Sequence, residues 1–175
     1  MPVKRRGCLI IRPITTADLD IMVVLIRELA VYENLLPQVE VDAESLRQWL
    51  FTDSKAEALL VEAEGEVVGY AIFFTTFSTF AGRPGLFLED LFIRPDARGK
   101  GCGTAVLQYL ASLAEKRGYV RLEWNCLDWN HSAHSFYQSL GAQRLHEWLP
   151  YRLSGENLTR LADGEVARPK KSGKF

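Results

Sequence analysis

The sequence predicts an α/β fold: a mixed, mostly antiparallel sheet with a central parallel pair of strands and helices on both faces. Two segments from Ala58 onward, rich in β-branched and aromatic residues, flank a turn at Glu64 and Gly65 and predict an antiparallel hairpin. Further along, a helical segment separates two strand-like segments, and such a crossover makes its two strands parallel. The 175 residues, 47% of them hydrophobic, suit one folded domain with a sizeable core.

The N-terminal part of the chain predicts a strand followed by two helices. The apolar run 8–12 ends at Pro13 and is typical of a strand. Thr15, with Asp18 three residues later, resembles a capping box and predicts a helix through Tyr32. Asp42 is expected to cap a second helix, whose inner face holds Leu46, Trp49 and Leu50.

Glycine and proline positions divide the rest of the chain into further elements. We expect, in order, a turn at Gly82–Gly85, a strand at Leu86–Ile93, a helix at Thr104–Lys116, a strand at Val120–Leu127, a helix from Asn130 that ends before Gly141, and a last strand within Gln143–Leu153. The predicted order of elements is therefore βααβββαβαβ.

Composition and charge argue against several classes of function. The net charge of −1 and the pI near 6.3 provide no positive field for nucleic acid or an anionic membrane. Neither a signal peptide nor a run of ~20 apolar residues is apparent, so we expect a cytoplasmic protein. Residues 1–162 are expected to form a single domain, and residues 163–175 a basic, mobile tail with little to bury. The three cysteines lack CxxC spacing and are expected to be free thiols.

A glycine-rich segment between a predicted strand and a predicted helix is the strongest local signal for a ligand. Residues 98–103 read Arg-Gly-Lys-Gly-Cys-Gly, and glycines at alternate positions let the backbone of a helix start approach an anion. The dinucleotide-binding fingerprint would need a glycine where Thr104 stands, and the closing Gly-Lys-Ser/Thr of the P-loop is absent. The segment therefore predicts a pyrophosphate cradle of another type.

Two motifs resemble those of the GCN5-related N-acetyltransferase (GNAT) superfamily. The spacing Arg98-x-x-Gly101-x-Gly103 is similar to its coenzyme A loop, and Asn130, Ala133, Tyr137 and Gly141 match its Asn-x-x-Ala-x-x-x-Tyr-x-x-x-Gly helix. Within the superfamily, the chain resembles the spermidine/spermine (diamine) N1-acetyltransferase and thialysine acetyltransferase branch, on the segments 25–33, 88–92, 128–130 and 136–137. The resemblance implies the GNAT fold with a splayed central parallel pair, acetyl-CoA as cosubstrate, and a homodimer whose C-terminal segments cross between subunits.

The same resemblance assigns the residues that hold the coenzyme. Leu91, Phe92 and Ile93 would pair their backbone with the pantetheine arm. The pyrophosphate would lie in the loop formed by Arg98, Gly99, Lys100, Gly101, Cys102, Gly103 and Thr104. The far side of the coenzyme would be lined by Asn130, His131, Ser132 and Ala133.

Acetyl transfer requires a base for the amine and an acid for the departing thiolate. An alkylamine titrates near ~10.4, so some group must take up its proton. Glu89 is the expected base, because it ends the strand beside the loop and a carboxylate there could accept the proton directly or through water. Asp90 should point to the opposite face, because side chains alternate along a strand. Tyr137 is the expected acid, a phenol with a pKa near ~10, and it has that role in the resembled family. Cys102 has no adjacent base, so direct attack is expected; no metal is expected, because His131 and His134 lack a third ligand.

The substrate is expected to be a small cationic amine. Tyr32 and Glu33 match the Tyr-Glu pair that contacts polyamine in the resembled branch, and further contacts are expected from Glu123, Trp124 and Asn125. That branch carries acids where this chain has Thr79 and Leu149, and a tryptophan where it has Tyr151. We therefore expect a shorter diamine, a lysine analogue such as thialysine, or another amino acid. A non-catalytic acyl-CoA sensor and a protein lysine or N-terminal acetyltransferase are the alternatives.

Overall fold

The computed structural model describes residues 4–6 and 9–165, and its centre is a six-stranded sheet in sequential strand order. Each neighbouring pair is antiparallel except the last, in which β5 and β6 are parallel. The predicted mixed, mostly antiparallel sheet is therefore confirmed. The strands are β1 (Lys4–Arg6), β2 (Leu9–Pro13), β3 (Glu57–Ala63), β4 (Glu66–Ser78), β5 (Arg83–Ile93) and β6 (Leu122–Trp124).

The helices begin where capping residues stand in the sequence. Asp18 accepts hydrogen bonds from the Thr15 backbone and hydroxyl, at 2.7 and 2.8 Å, in the predicted capping box. Asp42 accepts from the backbone N–H of Ser45 at 2.8 Å and caps the second helix as predicted. The helices are α1 (Leu19–Tyr32), α2 (Ala43–Arg47), α3 (Cys102–Lys116), α4 (His131–Ser139) and α5 (Gly155–Ala162), with 3₁₀ turns at Thr16–Asp18, Leu36–Gln38 and Pro95–Ala97.

Helices cover both faces of the sheet. On one face, Met22 and Leu25 of α1 pack with the buried Tyr70 of β4 and Phe92 of β5. Strand residues of the opposite parity, such as Leu59, are equally buried and form the other face. There α3 packs against the sheet with the buried side chains of Ala105, Val106, Leu107, Tyr109, Leu110 and Ala114.

The predicted β3–β4 hairpin is confirmed. The backbone conformation of its turn explains why a glycine stands there. Glu64 and Gly65 have φ values of 54° and 87°. Two consecutive residues with positive φ match the right-handed twist of the flanking strands, which is why glycine is favoured at such turns. The long strand β4 that follows places Tyr70 opposite Phe92 of β5.

Several predicted boundaries were wrong. Trp49 is 52% exposed rather than on an inner face, because α2 gives way to a π-helical turn at Gln48–Thr52 that breaks the 3.6-residue period. Gly85 lies within β5 instead of a turn; a Cβ there would stand 2.8 Å from the Arg121 side chain. β6 is shorter than predicted, and a strand not predicted from the sequence, Lys4–Arg6, pairs its backbone with β2.

The predicted last strand within Gln143–Leu153 was also wrong. Those residues form turns and irregular backbone, and α5 follows them. Their large apolar side chains are not buried in a core as those of a central strand would be, since Trp148 and Leu149 are 71% and 73% exposed. Consequently β6 is the last strand in the sheet order of the described residues.

The chain divides into two compact units, residues 1–127 and residues 128–175. The first contains the whole sheet with α1 to α3, and the second contains α4 and α5. The single domain over 1–162 stays a prediction. Of the predicted tail, residues 163–165 form a turn after α5 and residues 166–175 lie outside the described residues. Within the part of the chain that is described, no helix has both the length and the apolar character to cross a membrane.

Candidate active site

Strand β5 carries one extra residue, Glu89, opposite β4. Asp90 lies opposite Ile72 and Leu88 lies opposite Phe73, so Glu89 has no partner in the register. A β-bulge of this kind bends a strand and redirects a side chain, and bulges are frequent beside active sites. The Glu89 side chain is exposed at this bend.

The same bend separates β5 from β6. The two strands pair in parallel only from Leu86 to Leu88, where Trp124 is the last partner. Beyond the bulge, residues 89–93 keep β4 on one side, and no described strand pairs with them on the other. An unpaired strand edge offers backbone donors and acceptors to an extended ligand. Leu91, Phe92 and Ile93 lie on this stretch, as required if their backbone is to pair with a pantetheine arm.

Asp90 is the centre of a carboxylate cluster on the α1 face of the sheet. Its carboxylate accepts a hydrogen bond from the hydroxyl of the fully buried Tyr70 at 3.2 Å. Burial, together with the negative charges of Glu89 and Glu33, raises the pKa of Asp90 to about 6 despite that hydrogen bond. Asp90 can therefore exchange a proton near neutral pH.

Glu33 reaches this cluster from the end of α1. It is the residue after Tyr32 and terminates the helix, with its backbone N–H donating to the Leu29 carbonyl at 2.9 Å. Burial raises the pKa of the Glu33 carboxyl above its ordinary value. The helix end thus brings Tyr32 and Glu33 to the face of β5 that carries Asp90, and the three carboxylates together favour a positively charged ligand.

The glycine loop has the form of an anion cradle. Gly99 and Gly101 have φ values of 74° and 83°, and space is open where a Cβ would stand at either position. The 15-residue helix α3 begins directly afterwards at Cys102 without a side-chain cap, so the first-turn N–H groups can face an anion. These features fit the pyrophosphate of coenzyme A. Burial raises the pKa of the Cys102 thiol, which disfavours the thiolate and argues against a nucleophilic role.

Arg98, predicted to hold the coenzyme, directs its side chain away from the loop. Its Nε donates to the Ile93 carbonyl at 2.8 Å, and its guanidinium carbon lies 4.6 Å from the centre of the Tyr32 ring. The Phe92 ring is further, at 5.9 Å. The backbone of Arg98 still begins the loop, ahead of Gly99, Lys100 and Gly101, while α3 contains Gly103 and Thr104.

The substrate contacts predicted after α3 lie on or directly after β6, the strand that pairs with β5 before the bulge. Glu123 lies opposite Phe87 and forms an ion pair with Arg121 at 2.6 Å, which offsets its charge toward a cationic substrate. Trp124 ends β6, and Asn125 follows it in the chain. These three stay candidates for substrate contacts, with Glu123 the weakest as an ammonium partner.

The second unit holds the other predicted motif. The Asn130 side chain accepts from the Ala133 backbone N–H at 3.2 Å and from the Ser132 hydroxyl at 3.1 Å, and so caps α4 as predicted. Tyr137 lies in the second turn of α4, and its ring centre is 5.3 Å from that of Phe136. His131 begins the helix. Among the described residues, no group of three or more His, Cys, Asp or Glu side chains is arranged to hold a metal.

Sequence reasoning missed Asp90 of the carboxylate cluster and Tyr70, the residue that donates a hydrogen bond to it. Strand alternation placed Asp90 on the face opposite Glu89, but that face is the one on which α1 brings Glu33. Tyr70, the hydrogen-bond partner of Asp90, sits 20 residues earlier in an ordinary apolar strand. One signal in the sequence could have pointed to Asp90: it is a charged residue within an otherwise apolar strand. A buried polar side chain needs a hydrogen-bond partner, which suggests that other polar groups lie near it.

Several known proteins resemble this chain in sequence or in fold. The family model for the acetyltransferase (GNAT) family matches residues 25–142. A thialysine N-epsilon-acetyltransferase from Bos taurus is 37% identical over 87% of this chain and 96% of its own length. An L-ornithine N5-acetyltransferase from Arabidopsis thaliana is 38% identical over 62% of this chain and 49% of its own length. A solved integron cassette protein from the mobile metagenome of V. cholerae has a TM-score of 0.75 at 26% identity, over 90% of this chain and 99% of that one.

Proposed function

Since the chain belongs to the acetyltransferase (GNAT) family, we propose that it transfers the acetyl group of acetyl-CoA to the primary amine of a small molecule by direct attack. The observation that carries this proposal is the carboxylate cluster of Glu33, Glu89 and Asp90 at the bulge of β5, beside the unpaired edge 89–93. A cationic amine and an extended acyl donor would meet at this point of the strand.

The cluster supplies the proton acceptor that the reaction needs. A primary amine must lose a proton before or during attack, and a base is most effective when its pKa lies near the working pH. Asp90, with its pKa raised to about 6 by burial, meets that condition on the α1 face. Glu89, exposed at the bulge, is the other candidate base and would take up the proton directly or through water. Either carboxylate also attracts the ammonium form of the substrate.

The remaining roles fall on the glycine loop and on α4. When bound, acetyl-CoA supplies the electrophilic thioester. Gly99, Gly101 and the first turn of α3 bind its pyrophosphate through backbone N–H groups, while residues 91–93 orient the pantetheine arm. Tyr137 donates a proton to the departing thiolate sulfur, since the pKa of a phenol roughly matches that of a thiol.

Thialysine or a related short amine is the proposed substrate. The bovine and Arabidopsis relatives are named for thialysine and ornithine, both amino acids with a side-chain amine. The acids that would meet an amine are confined to one cluster, and Glu123 is already paired with Arg121. A long polyamine with several charges would leave its distal ammonium groups without matched carboxylates.

We further propose that the protein is a cytoplasmic homodimer joined through its second unit. Trp148, Tyr151, Leu158 and Leu161 are 47% to 93% exposed, more large apolar surface than an isolated unit of this size usually presents to water. Light scattering of the purified protein is expected to give twice the chain mass. Leu158→Glu should shift it toward the single-chain mass, and a wild-type protein with the mass of one chain would exclude the dimer.

Acetylated product should be sought by mass spectrometry on a panel of thialysine, ornithine, diamines, spermidine and lysine peptides with acetyl-CoA. We expect product on the short amines and at least about a tenfold loss of rate in Tyr137→Phe, a threshold set below the roughly 10²–10⁴-fold that a general acid contributes. Tight coenzyme binding with no product on any amine would support a sensor module instead. Product on peptides alone would support a protein acetyltransferase.

The pH dependence separates the two candidate bases. Because a base acts when deprotonated, kcat/KM is expected to fall about tenfold per pH unit below about pH 6 and to level off above it if Asp90 is the base. Asp90→Asn should then remove this acid limb and lower the plateau by roughly a hundredfold or more. If Glu89→Gln removes the limb and Asp90→Asn keeps it, Glu89 is the base.

A further inference from the structure

Arg98 joins two parts of the candidate site that bind different substrates. Its side chain reaches the last residue of α1, with the guanidinium carbon 4.6 Å from the centre of the Tyr32 ring. The same side chain donates through Nε to the Ile93 carbonyl at 2.8 Å, at the end of the strand edge proposed for pantetheine. Its backbone leads directly into Gly99 and the anion cradle.

A second arginine holds α1 one turn earlier and shows what is particular to Arg98. Arg94 forms two hydrogen bonds to the Glu28 carboxylate, at 2.7 and 2.8 Å, and a third to the Val67 carbonyl at 2.9 Å. Those contacts fix the body of α1 to β4 and β5. Arg98 instead contacts the helix end, next to Glu33, so it is the link between the acid cluster and the loop.

We propose that Arg98 is a positioning residue: it ties the amine-binding end of α1 to the coenzyme loop, so that a bound coenzyme orders Tyr32 and Glu33. This inference rests on the proposed function, because it takes the loop as the donor side and the end of α1 as the acceptor side. When the loop binds the anionic pyrophosphate, its backbone becomes ordered. Because the Arg98 side chain extends from that backbone, its contact with Tyr32 becomes ordered as well. By linkage, amine and coenzyme then raise each other's affinity.

The contacts of Arg98 require arginine rather than any cation. A planar guanidinium can stack on the Tyr32 ring while its Nε donates within its own plane, whereas a lysine ammonium has neither the plane nor that donor. Arg98→Lys therefore keeps the charge beside the loop and loses the link. If the side chain served the pyrophosphate by charge, lysine would replace it with little loss, since lysine also binds phosphate as a point charge.

The experiment compares Arg98→Lys and Arg98→Ala with wild type and with Arg47→Ala, which removes an exposed arginine from α2. Calorimetry with coenzyme A alone gives donor affinity, and steady-state rates give the amine KM and kcat. In both Arg98 variants we expect the coenzyme A Kd to change by no more than about threefold and the amine KM to rise about tenfold or more, as for loss of a partly desolvated stacking contact. Arg47→Ala should match wild type in both.

Hydrogen–deuterium exchange tests the link without turnover. Coenzyme A is expected to slow backbone exchange in the peptide covering residues 29–35 of wild type and Arg47→Ala, and to leave it unchanged in Arg98→Lys. Tyr32→Leu, which removes the ring and leaves the loop intact, should reproduce that result and guards against misfolding of the Arg98 variants. Since this readout needs no acetyl transfer, inactivity on every amine would count against the proposed function alone.

Two results would overturn the proposal. One is coenzyme-dependent protection of residues 29–35 that persists in Arg98→Lys and Tyr32→Leu. The other is a coenzyme A Kd raised at least about tenfold in Arg98→Ala and restored in Arg98→Lys with an unchanged amine KM, the behaviour of a charge partner for phosphate. In the double variant Arg98→Ala with Tyr32→Leu, effects on the amine KM should not add, because both remove one contact.

Discussion

Asp90→Asn is expected to make the protein more stable while it impairs catalysis. Burial raises the pKa of Asp90 from 3.8 to about 6, so the folded protein holds its proton more tightly than the unfolded chain does. The stability contributed by the protonated acid is complete below pH 3.8 and is lost as pH rises through about 6. A displacement of roughly two pH units corresponds to about 3 kcal/mol by about pH 7.5, at ~1.4 kcal/mol per unit.

The asparagine variant avoids this cost because its amide stays neutral, and its carbonyl can still accept from the Tyr70 hydroxyl. Chemical denaturation followed by tryptophan fluorescence should give similar unfolding free energies for the two proteins near pH 4. Near pH 7.5 the variant should exceed wild type by about 2–3 kcal/mol. Asp20→Asn, at an exposed position of α1, is the matched control and should show no such pH-dependent gain. A variant-minus-wild-type difference that is the same at both pH values would refute the reasoning.

Three glycine substitutions, one of them a control, test the backbone around the donor site. Gly101→Ala places a side chain at φ 83° in open space, so we expect a backbone strain of ~1–2 kcal/mol. Calorimetry should then give at least about fivefold weaker coenzyme A binding. The control Gly65→Ala, at φ 87° in the distant hairpin, should lower the melting temperature and leave the coenzyme A affinity unchanged. Gly69→Ala puts a Cβ 2.3 Å from the Phe92 carbonyl oxygen, so overpacking should cost ~1–3 kcal/mol in unfolding free energy. An unchanged coenzyme A affinity in Gly101→Ala, or an unchanged unfolding free energy in Gly69→Ala, would contradict these assignments.

The fold class could be predicted from the sequence because the patterns that indicate each element involve residues close together in the chain. The capping residues Thr15 and Asp42, the Glu64–Gly65 turn and the helical period of α1 each act within a few residues, and each predicted element was confirmed. Trp49 was misplaced because a π-helical turn changes the helical period without a residue type that marks it. The strand predicted within Gln143–Leu153 was wrong because the apolar residues that suggested it, such as Trp148 and Leu149, are exposed rather than packed in a core.

The candidate site was predictable only in part for a related reason. The glycine loop is contiguous in sequence, so its spacing could be compared with known phosphate loops. The cluster around Asp90 depends on a bulge at Glu89 and on where α1 ends, and both follow from strand register and packing rather than from neighbouring residues. The contact of Arg98 with Tyr32 spans 66 positions of the chain and has no sequence signature.

Side-by-side kcat/KM values for thialysine and spermidine, with acetyl-CoA as donor, test the central claim most directly. The confined carboxylate cluster predicts efficient transfer to thialysine and a kcat/KM at least about tenfold lower for spermidine, whose distal charges would lack partners. A clear preference for spermidine would contradict the substrate assignment, and no acetylated product from either amine, with coenzyme A bound, would contradict the catalytic role of the cluster.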